Sequence, residues 1–170
     1  MPHGTYGRKF PAGVRVRRFL CRPSGQTVSL LPKCLAAHWS GTLAAIEQAA
    51  QAAARAKSQT AAANQLRSDY VGLAGALRWT RRRVRAVREF LSAARTVCPQ
   101  QCGQLEPSLE AFGERLGSPA VLARLRVLAG PSLGSLPAPV GFRRRWNRAG
   151  KRAAAHAPHA QGLDPPPPAA

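Results

Sequence analysis

The sequence predicts a mainly α-helical protein with an N-terminal β-hairpin, about four helices and a disordered C-terminal tail. Three observations carry that prediction. Two short runs near the start alternate apolar and polar residues. Apolar residues recur at helical spacing through the middle of the chain. From residue 132 onward no period survives. The chain of 170 residues is one domain's worth, or a small domain with tails. It divides into a ribbon-like hairpin over 1–35, a helical region over 36–131 and a basic, proline-rich tail over 132–170.

The hairpin rests on Val14 and Val16, which alternate with arginines up to Phe19 and Leu20, and on the run Gln26 to Leu31. Pro23-Ser24-Gly25 between them reads as a turn. Residues 36–64 hold 13 alanines, the residue with the best helix propensity, and Leu43, Ile46, Ala50 and Ala54 recur at helical spacing. Ser40 is the candidate cap there. This apolar face is thin, and the sequence leaves open whether it forms one helix or two.

The strongest element spans 70–97, with Ser68 or Asp69 as N-cap candidate and Pro99 just past its end. At about 100° per residue, Leu73, Leu77, Val84, Val87, Leu91 and Ala94 share one arc. Arg78, Arg81, Arg82, Arg85 and Arg88 share the opposite arc. Arg83 falls among the apolar positions, where its stem can pack while its head reaches for water. Two shorter helices follow. The first opens at Pro107, has Leu105, Leu109, Phe112 and Leu116 on one face and Glu106, Glu110 and Glu114 on another, and stops at Gly117. The second starts from Ser118-Pro119 and carries Leu122, Leu125 and Leu128 to Gly130. Their junction has the outline of a helix-turn-helix that offers Arg124 and Arg126 to a groove. Any two short helices joined by a glycine turn share that outline.

Charge is the main pointer to function. Lysine and arginine total 26 against 7 acids, a formal net charge of +19. Arginine, alanine, glycine and proline all have GC-rich codons, so bulk composition is a weak guide; the two-sided arginine helix is the stronger observation. Eighteen of the cations lie in three acid-free blocks: Arg8 to Arg22, including Arg15, Arg17 and Arg18; Arg78 to Arg88; and Arg143 to Arg152, including Arg144 and Arg145. Such patches attract a phosphate backbone and release its condensed counterions. Trp79 and Trp146 stand beside arginines, where they can stack on bases.

The expected partner is therefore nucleic acid, DNA bound largely without sequence preference, with helical self-association as a further possibility. A helical protein-interaction module and a degenerate remnant without DNA binding are the competing readings. Catalysis is not expected: seven scattered acids, no phosphate-binding glycine loop and no nucleophile–base pair give an active site nothing to work with. No cofactor is expected either. No apolar run is long enough for a membrane-spanning helix. The arginine helix opposes its cations with Leu and Val, not with Trp or Phe anchors, so a membrane partner is not expected. No secretory leader is legible, which makes the expected location cytoplasmic.

Cys21, Cys34, Cys98 and Cys102 lack the two-residue spacing of a zinc knuckle, and no metal site is expected. The run from Val16 to Pro32, containing Arg17-Arg18-Phe19-Leu20-Cys21 and Thr27-Val28-Ser29-Leu30-Leu31-Pro32, nevertheless resembles a family. It is similar to the zinc-ribbon region of bacterial transposon-associated, transposase-like proteins, where "RRFRC" leads to "CGRTxSLLP" and then to helices. His3-Gly4-Thr5-Tyr6-Gly7-Arg8 resembles that family's "HGxYxR" stretch. The likeness covers about residues 3–37. Ser24 stands where the family has a cysteine, and no counterpart of the family's first cysteine pair precedes His3. The resemblance implies a ribbon-derived hairpin that has lost most of its ligands, with Cys21 alone retained, and a mobile-element ancestry with DNA handling.

Overall fold

The computed structural model describes residues 1–8, 10–67 and 71–143. The chain begins with a three-stranded antiparallel sheet of β1 (Pro2–Gly7), β2 (Arg15–Cys21) and β3 (Gln26–Leu30), in that order. The expected hairpin is β2–β3, with Phe19 opposite Val28 and Cys21 opposite Gln26 across the turn. The added strand is β1, whose Tyr6 lies opposite Val16. Its two glycines and lack of apolar alternation hid it, and every one of its residues is exposed. A strand held only by ladder hydrogen bonds leaves no hydrophobic period to read.

The helices follow in order: α1 (Leu43–Arg55), α2 (Gln59–Leu66), α3 (Leu73–Val97), α4 (Pro99–Cys102), α5 (Leu109–Leu116) and α6 (Val121–Leu128). The alanine-rich region is thus two helices. Thr42, not Ser40, caps the first, its hydroxyl accepting from the Ala45 N–H at 3.1 Å. Ser58 caps the second in the same way through Ala61. The chain breaks at Ala56, whose extended backbone ends α1.

The long arginine-bearing helix forms as expected but starts at Leu73, after Gly72, with no side-chain cap. Ser68 and Asp69 lie outside the described residues. Its buried stripe runs through Ala76, Thr80, Arg83, Val87, Phe90, Leu91 and Ala94. Leu73 is 37 % exposed, and Leu77 and Val84 are only half-buried. The stripe is rotated toward Arg83 and Phe90; α2, which meets α3, buries only the small side chains Ala62 and Ala63.

Ser108, not Pro107, sets the start of α5, accepting from Ala111 N–H at 3.2 Å. Gly117 ends the helix in the left-handed conformation, φ +59°, which a residue with a Cβ adopts only at a cost. Ser118 turns its hydroxyl to Ala120 N–H at 3.3 Å, so α6 has no side-chain cap from its own flank. A remote group supplies one. Glu47 of α1 is 4 % exposed; its Oε1 accepts from Val121 N–H at 2.8 Å and its Oε2 from Leu122 N–H at 3.4 Å. Burial pushes its carboxyl above the ordinary carboxylate value, and the two backbone bonds pull it part of the way back.

These elements enclose one core of Leu43 and Ile46 from α1, Phe90 and Leu91 from α3, Phe112 from α5, and Leu122 and Leu125 from α6. Each such side chain, fully buried, contributes about 2 kcal/mol. The disorder expected from residue 132 does not hold for the described residues 132–143. Leu136 and Val140 are fully buried in the same core, and Ala37 N–H donates to Pro139 carbonyl at 2.7 Å. A Cβ on Gly141 would run into the Leu136 backbone, so only glycine fits that turn. The remainder of the expected tail, with Arg144 and Arg145, lies outside the described residues.

Arg126 explains why this irregular stretch stays packed. It is 6 % exposed, and its guanidinium donates to the carbonyls of Leu35 at 2.6 Å, Lys33 at 2.9 Å and Val140 at 3.0 Å, with longer bonds to Pro32 and Pro139. It therefore clamps the segment after the sheet to the segment after α6. Arg8 does similar work just past the opposite edge strand, β1, donating to Trp39 carbonyl at 2.7 Å and Ala36 carbonyl at 2.9 Å. The sheet is tied to the helical body through these arginines and through Gly41 N–H to Phe10 carbonyl.

Candidate nucleic-acid interface

The solvent face of α3 is built by phase alone. With about 3.6 residues per turn, Arg78, Arg81, Arg82, Arg85 and Arg88 fall within roughly 120° of arc. All five are exposed. Between Arg78 and Arg88 the helix rises about 15 Å, enough to run beside about two or three successive phosphates of one strand.

This face forms the floor of an open groove of about 720 Å³ lined by Arg81, Arg85, Arg88, Glu89, Arg143 and, from α2, Gln59. The structure thus brings the start of the third basic block, Arg143, to the second block. Four guanidinium groups face one carboxylate. Arg81 Nε donates to Gln59 Oε1 at 2.8 Å, which fixes its direction. Arg85 and Glu89 form an exposed i, i+4 pair at 2.7 Å, the one ion pair among the described residues. An exposed pair of this kind is worth about 0.5 kcal/mol and opens readily for a phosphate. Glu106, Glu110 and Glu114 are exposed and make no ion pair with the arginine face.

At one margin of the arginine arc stands a cluster of cations and indoles. Arg83 is 7 % exposed, and its guanidinium carbon lies 3.5 Å from the centroid of the Trp79 ring and 5.5 Å from that of Trp39. Its head does not reach for water; it stacks. Burial and the neighbouring Arg82 charge pull its pKa down to about 10. Arg82, on the exposed arc, lies 5.6 Å from the Trp39 centroid, so it joins this cluster to the arginine arc, outside the groove lining. Trp79 itself is 40 % exposed.

The remaining candidate residues separate. Arg15, Arg17 and Arg18 are exposed on β2 and do not line the groove. Arg15 and Arg17 share one face of the sheet and Arg18 takes the other, as the two-residue period of a strand dictates. Arg15 Nε donates to Thr5 Oγ1 at 3.2 Å. The helix-turn-helix outline fails: Arg126 is consumed by backbone carbonyls and cannot enter a groove, although Arg124 is exposed. The signal for this was weak, since Arg126 falls about 40° beyond Leu122, at the edge of the buried arc of Val121, Leu122, Leu125 and Ala129.

No group of three or more His, Cys, Asp or Glu side chains gathers among the described residues. Cys98 and Cys102 are buried, which pushes both thiols up. Cys21 is exposed at the hairpin turn, where hydrogen bonds from the Ser24 hydroxyl and backbone draw its pKa down. His38 faces the Phe142 carbonyl, with Nε2 at 3.3 Å. No helix among the described residues is long and apolar enough to cross a membrane. Comparison with protein-family models, curated proteins and solved structures finds no match to this chain.

Proposed function

We propose that this protein is a non-enzymatic, basic nucleic-acid-binding accessory protein that holds the phosphate backbone of DNA on the arginine face of α3. The observation that carries the reading is the groove in which Arg81, Arg85, Arg88 and Arg143 converge against a single carboxylate. Guanidinium is suited to this task because its planar fork pairs two donors with one phosphate. The contacts are to backbone and not to base edges, so they position a strand without reading it. The likeness of residues 3–37 to transposon-associated proteins supports a mobile-element ancestry. Arg15, Arg17 and Arg18 would add phosphate contacts on the sheet, and Arg144 and Arg145 would extend the third block beyond Arg143.

The test is binding of a labelled DNA at low salt, measured by fluorescence anisotropy, for the native chain and for the triple variant Arg81→Gln, Arg85→Gln, Arg88→Gln. The variant keeps three solvent-facing side chains of good helix propensity. It should bind at least tenfold more weakly while melting within a few degrees of the native chain. Equal affinity in the two proteins would refute the assignment of the groove.

A further inference from the structure

We infer that the strand held by this groove is unpaired, and that one of its bases stacks on Trp79. The inference rests on the nucleic-acid reading above and specifies which form of nucleic acid the site takes. Three observations support it. Trp79 lies at the margin of the arginine arc and keeps 40 % of its surface exposed. Arg83 covers one ring face at 3.5 Å, so the exposed part lies away from that face. Arg82 lies on the helix surface between Trp79 and the groove arginine Arg85, so a strand leaving the groove crosses Arg82 to reach the indole.

The indole is held ready. Arg83 also donates to the Trp79 backbone carbonyl at 3.4 Å, so the cation that stacks on the ring is fixed to the same helical turn. A base arriving on the open side would complete a guanidinium–indole–base stack, adjacent to arginines that bind the flanking phosphates. Base–aromatic stacking of this kind tolerates any sequence. In a duplex, every internal base already has both faces covered by its neighbours, and an indole at the surface meets only phosphates and sugar. An unpaired strand presents the face that Trp79 lacks. The shared chemistry is an unstacked nucleobase on a phosphodiester chain, whether DNA or RNA.

Electrostatics alone would rank the partners the other way. A duplex carries more charge per length and releases more counterions per contact than a single strand. A preference for single strands must therefore come from the bases. The experiment titrates the full chain with oligo-dT, oligo-U and a duplex of equal length at one salt concentration, following anisotropy and tryptophan emission. Native protein should bind at least one of the single strands about tenfold more tightly than the duplex, with quenched emission; the better of the two identifies the sugar. Trp79→Phe should stay within about threefold of native affinity for that strand but lose most of the quench. Trp79→Leu should lose about tenfold on the strand, equal to about 1.4 kcal/mol, with duplex affinity unchanged.

Duplex binding equal to or tighter than both single strands overturns the stacking inference and leaves the phosphate reading standing. An undiminished quench in Trp79→Phe, which keeps an aromatic ring at this position, also overturns it. Failure to bind any of the three nucleic acids removes both.

Discussion

Glu47 offers a direct test of how this fold is held together. Its carboxylate is the cap for α6, a helix whose own flanking residues, Ser118 and Ala120, supply none. Removing it by Glu47→Ala strands two N–H groups, on Val121 and Leu122, both of which sit at buried positions. The 2.8 Å bond is charge-assisted and the 3.4 Å bond is weak. Losing the first and orphaning both donors costs about 4 kcal/mol, and relief from burying a carboxylate returns about 1. The net is about 3 kcal/mol, a fall in melting temperature of about 10 °C for a chain of this size. Glu47→Gln keeps an acceptor of the same shape and should cost about 1 kcal/mol.

The two variants also separate charge from shape. Burial raises the Glu47 pKa above 4.5, so in the native state the carboxyl takes up a proton at a pH where the unfolded one is already ionised. Protonation therefore favours folding, and this contribution is full below the ordinary value and lost as pH rises through the raised one. Urea unfolding followed by circular dichroism across this range should show the native advantage over Glu47→Gln shrinking as pH rises. An advantage that widens with pH would overturn the burial-raised pKa of Glu47, and an alanine variant costing less than about 1 kcal/mol would refute the capping argument.

Arg126→Met should destabilise the fold by more than about 3 kcal/mol, since it strips a donor from several buried carbonyls at once. The segment around Leu136 and Val140 should then become the first site of limited proteolysis; an unchanged cleavage pattern would contradict the clamp. Gly117→Ala places a Cβ in open space but at φ +59°, so only the backbone penalty of about 1 kcal/mol should appear in a urea titration. A neutral result there would mean that the turn relaxes. Arg83→Met keeps the bulk but removes the guanidinium stack, and should cost about 1 kcal/mol and shift tryptophan emission; unchanged emission would remove Arg83 from the indole cluster.

What the sequence conveyed and what it withheld follow from range. The two faces of α3 are a local property: residues three and four apart in sequence are neighbours on a helix, so the arginine arc was legible from spacing alone. The turn at Pro23-Ser24-Gly25 and the stop at Gly117 were legible for the same reason. The cap on α6 was not, because its donor and acceptor are more than seventy residues apart. Nor was the packing of Leu133 to Phe142, which is held by an arginine from α6 and by single backbone bonds, without a period. Arg8, Arg83 and Arg126 show the limit of reading charge from composition. Each belongs to the count that points to a polyanion, yet each is occupied by carbonyls or indoles inside the molecule.

The central claim concerns the arginines that remain outside. Each phosphate contact steepens the salt dependence of duplex binding by about 0.9 in log–log slope. The measurement is that slope between about 50 and 200 mM salt, for the native chain and for the Arg81→Gln, Arg85→Gln, Arg88→Gln variant. Three lost contacts should flatten the slope by about 3. Parallel lines for the two proteins, or a native slope shallower than about −1, would contradict a phosphate-binding role for the α3 face.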